Sequence, residues 1–231
     1  MKKNLLLLTT VLLLTGVALA ACTPTPLTAE QVLQKLVDNA AKLKTGHTEM
    51  IMDMSAEGQT ITMNAAGIFE TPDKSYLTLT LLGQTMQMLV LSPTEIYQRA
   101  TDADAWVLSE TDGTEQVTNV YDFSKNPEFL LKHYSNAQLL AEEQVDGVDC
   151  YHLSFDLDVL EMLKESGIDQ VTLEGVTFPG PAKIEAWIGK ADFFSRKVVE
   201  NFVMNSMGQE VTMDIVVTQT AINQPVEIPT P

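Results

Sequence analysis

The sequence predicts an α+β protein in which one large antiparallel sheet carries a few helices over one face. Three observations lead there. A capped amphipathic helix opens the globular part, at "LTAEQVLQKLVDNAAKLKTG". From His47 onward the apolar period changes from the helical spacing to two and stays there over most of the chain. Short turn signals then separate the alternating runs, as antiparallel connections require.

In the helix, Thr28 is an N-cap with Gln31 three residues on, a capping box, and Leu27 is placed to staple onto Val32. Val32, Leu33, Leu36, Val37, Ala40 and Leu43 form its apolar stripe, Lys42 and Lys44 fall in the expected last turn, and Gly46 is expected to end it. A hairpin follows. With Glu57-Gly58 as a two-residue loop, Met54 faces Ile61, Met52 faces Met63 and Met50 faces Ala65, while Glu49, Asp53, Ser55, Thr60, Thr62 and Asn64 take the other face. In "SYLTLTLLGQTMQMLVL", a Gly83-Gln84 loop sets Leu81 against Met86, Leu79 against Met88 and Leu77 against Val90. Further strands are expected at 95–100, 105–110, 137–144, 148–156, 182–189, 195–204 and 209–219, with an Asp146-Gly147 turn. Two short helices fit between them. One runs from Pro127 to about Tyr134 with Asn126 as cap, and the other covers 158–166 and stops at Gly167.

The start of the chain reads as an export signal. Lys2 and Lys3 precede an apolar run from Leu5 to Leu19, too short for a lasting membrane span. Leu19-Ala20-Ala21-Cys22 resembles a bacterial lipobox, which implies cleavage before Cys22 and acylation of its sulfur. The expected organisation is thus a signal peptide at 1–21, the lipidated cysteine and a short tether at 22–28, and a single domain over 29–231. "TPTPL" reaches under roughly 20 Å, so the domain is expected to sit close to the outer face of the cell membrane, or of an outer membrane if the host has one.

Charge excludes one class of partner. Removing the first 21 residues takes two lysines and no acid, which moves the formal charge from −17 to −19. Nucleic acid is not expected to bind, because phosphate contacts need clustered Lys and Arg. Anionic headgroups would repel the chain as well, leaving the lipid on Cys22 as its membrane anchor. Cys150, flanked by apolar residues, is expected to be a small buried hydrophobe.

Catalytic signatures are missing: there is no G-x-S-x-G, H-E-x-x-H, Walker A, G-x-G-x-x-G or EF-hand loop. His47, His133 and His152 are not at ligand spacing from one another and are expected as surface or strand residues. "DADAW" at 102–106 is expected to be a solvated turn, and Glu142-Glu143 lacks a visible cleft. No enzyme activity, cofactor or dedicated metal site is expected. The methionines are the informative signal, since Met50, Met52, Met54, Met63, Met86, Met88 and Met213 all fall in expected strands. Three readings stay open. They can be soft Cu(I) donors with His47 as a nitrogen partner, the filling of a closed core, or the adaptable wall of an apolar pocket.

Several phrases resemble a known family: "GIFETPDKSYLTL", "EIYQRATDADAWVLSE", "VDGVDCYHLSFDLD", "AKIEAWIGKADFFSRKVV" and the closing "AINQPVEIPTP". In their order, after the lipobox and helix, they are similar to the LolA/LppX–LprG-like bacterial lipoproteins. The resemblance implies a strongly curved half-barrel whose concave side is covered by helices and encloses an apolar cavity for a lipid or acyl chain, carried across the cell envelope. It implies that Met50, Met52, Met54, Ile61, Met63, Leu77, Leu79, Leu81, Met86, Met88 and Val90 line that cavity, with the helices near 127–134 and 158–166 as its lid. A monomer is expected, and no protein partner is named. The alternatives it leaves are a surface structural or signalling lipoprotein with a filled core, and the soft-metal protein.

Overall fold

The computed structural model describes residues 26–92, 94–109, 127–165, 175–206 and 208–231. The signal peptide, Cys22, most of the tether, Asn126, Gly167 and the ends expected at 110 and 166 lie outside the described residues.

Helix α1 spans Ala29–Ala40. Its capping box forms in both directions: the Gln31 backbone N–H donates to Thr28 Oγ1 at 3.3 Å, and the Thr28 N–H donates to Gln31 Oε1 at 2.9 Å. The helix ends earlier than its lysines and glycine suggest. The Lys44 N–H donates to Asn223 Oδ1 and its carbonyl accepts from Thr71 N–H, which draws the chain into the sheet. Gly46 therefore belongs to the first strand, where a Cβ would stand 2.8 Å from the Phe69 ring.

The strands are β1 (Thr45–Ala56), β2 (Gln59–Glu70), β3 (Lys74–Leu81), β4 (Gln84–Ser92), β5 (Glu95–Arg99) and β6 (Val107–Leu108), and after helix α2 (Pro127–His133) come β7 (Tyr134–Leu139), β8 (Glu143–Val145) and β9 (Val148–Leu157). Helix α3 (Val159–Glu165) is capped by Asp158, whose carboxylate accepts from the Glu161 N–H, and β10 (Val176–Thr177), β11 (Ala182–Gly189), β12 (Ser195–Ser206) and β13 (Gln209–Thr220) follow. Among the described residues they form one antiparallel sheet in the order β6-β5-β4-β3-β2-β1-β13-β12-β11-β9-β7, with β10 beside β12 and β8 beside β9. The two edge strands do not pair with each other, so the sheet stays open. The expected run at 105–110 shrinks to two residues, and the run at 137–144 divides into β7 and β8.

The first hairpin has the register its polar and apolar sets predict: Met50 opposite Ala65, Met52 opposite Met63, Met54 opposite Ile61. The second is corrected by two residues. Its loop is Leu82-Gly83, so Leu81 faces Gln84, Leu79 faces Met86 and Leu77 faces Met88. Both loop residues have positive φ (51° and 77°), matching Glu57-Gly58 (50° and 78°) and Asp146-Gly147 (49° and 77°). That pair of left-handed residues is the type I′ turn, whose twist suits antiparallel strands. A shift of two keeps every side chain on its face, so the apolar set is unchanged. Gly67 assists the bending of this half: an added Cβ would lie 2.1 Å from the Tyr76 carbonyl and 2.7 Å from a Leu77 methyl.

The core lies on one face of the other half. Val32 and Leu33 of α1, Leu130 of α2 and Met162 of α3 pack on Leu153, Phe155, Leu157, Ile184, Ala186, Ile188, Phe202, Met213 and Ile215, with Met52 at the boundary. Contacts join α1 to α2 and α2 to α3, and the Lys132 ammonium meets the Glu165 carboxylate at 3.2 Å.

The Leu82 turn yields a test. Asn adopts left-handed φ at lower cost than Leu, and Leu82 is 75% exposed, so little burial is lost. Leu82→Asn should raise stability by about 1 kcal/mol in urea titration; an unchanged or lower midpoint would contradict the turn assignment.

Candidate functional site

Pairing registers place one apolar row across seven strands. Phe155, Ile184, Glu200, Ile215, Met52, Met63 and Leu81 are successive neighbours from β9 to β3. The next row carries Leu153, Ala186, Val198, Val217, Met50, Ala65, Leu79 and Met86. The described residues line a space toward each end of this inner face.

The first is the more enclosed of the two, about 140 Å³ and still partly open to solvent, and sits under α1. Leu36, Val37 and Ala40 roof it with Leu130 of α2, and its floor is Phe155, Leu157, Ile184, Ala186, Ile188, Val198 and Val217. The second is an open trough of about 610 Å³ at the other half. Met63, Leu79, Leu81, Leu82 and Met86 give it an apolar bed, with Gln84, Thr85, Gln98 and Arg99 around it.

The eleven residues singled out from sequence divide between these surroundings. Met63, Leu79, Leu81 and Met86 line the trough. Met52 and Met88 are buried, while Met50, Met54, Leu77 and Val90 are half-buried and Ile61 is 40% exposed. None of the eleven lines the enclosed cavity, which belongs to β9, β11, β12 and β13. Its cover is α1 with Leu130, not the α3 helix expected as part of a lid. The soft-donor arrangement does not assemble either. His47 is exposed on β1 at the alternate parity, so it faces away from Met50, Met52 and Met54. Those methionines pack among aliphatic core residues.

Sequence reasoning missed Glu200. It lines the enclosed cavity, is 6% exposed, and makes no hydrogen bond or ion pair with any described residue. Burial pushes its carboxyl up to about 7. The signal was present: on β12 the inner positions read Val198, Glu200, Phe202, Met204, one acid within an apolar set. The neighbouring strands give it only Ile215 and Ile184 across the ladder.

Other polar groups are absorbed by structure. His152, expected as a surface or strand residue, lies on β9 and is buried on the opposite face, stacked on Trp187 with ring centroids 4.1 Å apart. Its Nε2 lies 2.9 Å from Glu185 and its Nδ1 3.4 Å from Glu143, which also accepts from the Trp187 indole at 2.9 Å. Glu142 pairs with Lys190. In the 102–106 turn, Asp102 accepts from Arg99 at 2.7 Å and Asp104 accepts from the Thr101 hydroxyl at 2.7 Å. Cys150 is buried, its thiol pushed up chiefly by that burial. No group of three or more His, Cys, Asp or Glu side chains among the described residues is placed to hold a metal ion. No described helix is long and apolar enough to cross a membrane.

Glu200 makes stability depend on pH in a definite direction. Below about 4.5 it is neutral in both the folded and unfolded states. Between there and about 7 the unfolded chain gives up the proton that the folded chain keeps, so stability falls as pH rises, and the full cost is present above about 7. Glu200→Gln should therefore stabilise by up to about 3 kcal/mol at about pH 8 and by little at about pH 4.5, read as urea midpoints. An equal gain at both values would show that ionisation is not the cause.

No protein-family model matches the chain, and no curated protein sequence matches it. Solved structures do. The Mycobacterium tuberculosis lipoprotein LppX superposes with a TM-score of 0.54 at 14% identity, over 87% of this chain and 98% of LppX. LprF from Mycobacterium bovis superposes with a TM-score of 0.53 at 13% identity, over 88% of this chain and 96% of LprF. Identities this low speak to the fold. The expected α+β class is borne out: an open antiparallel sheet with helices laid on its inner face, a fold that LppX and LprF share with this chain.

Proposed function

We propose that this chain is an exported lipoprotein, anchored through Cys22, that holds a lipid chain or another apolar ligand on the inner face of its half-barrel and carries it within the cell envelope. One observation carries the reading. The inner face stays apolar past the edge of the helical cover, where Leu81 and Met86 are about 40% exposed in the bed of the trough. Solvent-exposed apolar surface of this kind is costly unless something covers it. An acyl chain needs no directional contacts, since each buried methylene contributes about 0.8 kcal/mol. The methionines suit a ligand of variable shape, because thioether side chains repack at low cost. The volume of the trough falls within the range usual for small-molecule sites, roughly 300–1,000 Å³.

A second reading is a surface lipoprotein with a filled core. The enclosed volume of about 140 Å³ favours it, being below the usual ligand range.

The two separate in one experiment. The Cys22→Ser chain, purified without detergent, is examined by native mass spectrometry beside its organic extract, with and without added phospholipid. The binding reading expects a stoichiometric lipid, lost in Leu81→Glu/Met86→Glu, a pair exposed enough for the fold to survive. A clean apo mass that takes up no phospholipid would establish the filled-core reading instead. For the anchor, Cys22→Ser should move the chain from the membrane fraction to the soluble fraction; continued membrane association would remove the lipidation proposal.

A further inference from the structure

The enclosed cavity holds one polar group that the packing does not use. Glu200 projects from the middle of β12 into a space bounded mostly by aliphatic and aromatic side chains, and no cation lies among its lining residues. The two other polar lining residues, Ser195 and Gln219, stand at the far end. Gln219 is four residues along β13 from Ile215, the partner of Glu200, roughly 13 Å away. Among the described lining residues Glu200 is therefore the one polar group at its end of the cavity, and its carboxylate opens on that space with no donor supplied by any described residue.

We infer that the enclosed cavity recognises a ligand carrying a primary ammonium group on an apolar body of about six carbons, with Glu200 as the counter-ion. This rests on the reading that the inner face takes an apolar ligand, and it names the chemistry for the enclosed end.

Three features support the assignment. Size comes first. An apolar cavity of about 150 Å³ accepts a benzene-sized guest, and this one is about 140 Å³. Charge is the second. An unpaired carboxylate in an apolar enclosure is costly, whereas an ammonium supplies both opposite charge and hydrogen-bond donors. The fold already bears most of the desolvation of Glu200, so the ligand meets an acceptor largely withdrawn from bulk solvent. Exclusion is the third. A fatty-acid carboxylate would set two acids against each other in the same enclosure, and a metal ion would find a single carboxylate and no cluster of ligands among the described residues.

The test uses the Cys22→Ser chain and three six-carbon probes, hexylamine, hexanol and hexanoate, titrated calorimetrically at about pH 8, above the ionisation of Glu200. Hexylamine should bind at one site, tighter than hexanol by roughly tenfold or more, as charge-assisted hydrogen bonds warrant, and hexanoate should bind weakest. Glu200→Gln, which keeps the shape, should erase the preference for the amine, and Glu200→Asp should retain part of it. Equal affinity for hexylamine and hexanol, or a preference that survives Glu200→Gln, overturns the inference while leaving the apolar-ligand reading intact. Failure of every probe overturns it too, and only if added phospholipid is also refused does the broader reading fall with it.

Discussion

The inner row from Phe155 to Leu81 crosses seven strands with one polar interruption, and the need to keep that face from water organises the molecule. Crossing eleven strands at about 4.8 Å each, the sheet is roughly 50 Å wide. Helix α1, with 12 residues, is only about 18 Å long. Helices α2 and α3 have 7 residues each. Such a set covers β9 to β13 and the near side of β1, where the core collects, and then runs out. What remains is the trough over β2 to β5. The enclosed cavity and the trough are thus two results of the same shortage of helical cover: one where the roof fits imperfectly, the other where no described residue forms a roof.

The methionine stripe takes its meaning from that boundary. Met52 and Met213 are buried where helix-covered core ends, Met50, Met54 and Met63 are half-buried beside them, and Met86 lies in the open bed. Unbranched thioethers can adjust to both packed and open surroundings. Leu and Ile dominate where the helices fix the packing, and Met is concentrated where the surroundings change along a strand. The same side chains therefore serve as core filling at one end of the face and as adaptable surface at the other.

Parity along each strand was legible in the sequence, and nearly everything derived from parity holds. The Met50–Ala65, Met52–Met63 and Met54–Ile61 pairs follow from it, and even the second hairpin, displaced by two, keeps Leu77, Leu79 and Met88 on the expected face. What depends on distant partners was not legible. Nothing local says that Lys44 will bond to Asn223 and Thr71, which is why α1 was read too long. Nor does the pattern say that α1 will lie over β11 and β12, so the enclosed space was sought in the methionine hairpins. Glu200 was visible as an acid at an apolar position, yet without knowing that α1 roofs it, the residue reads as an ordinary strand-surface glutamate.

The pairing of β1 with β13 has a kinetic consequence. Met50 sits opposite Val217 and His47 opposite Thr220, contacts separated by more than 160 residues. Every other long pairing in the sheet joins strands far closer in sequence, so each half can assemble as a meander on its own. The seam between them waits for the final strand, and loop-closure entropy makes that the slowest kind of contact to form. Until it does, β1 and β13 each offer an unpaired edge and the apolar face is divided between the two halves. A chain made this way commits to its tertiary structure late, which leaves the polypeptide unfolded and pliable while it is being synthesised, and leaves it in need of protection from its neighbours during the same interval.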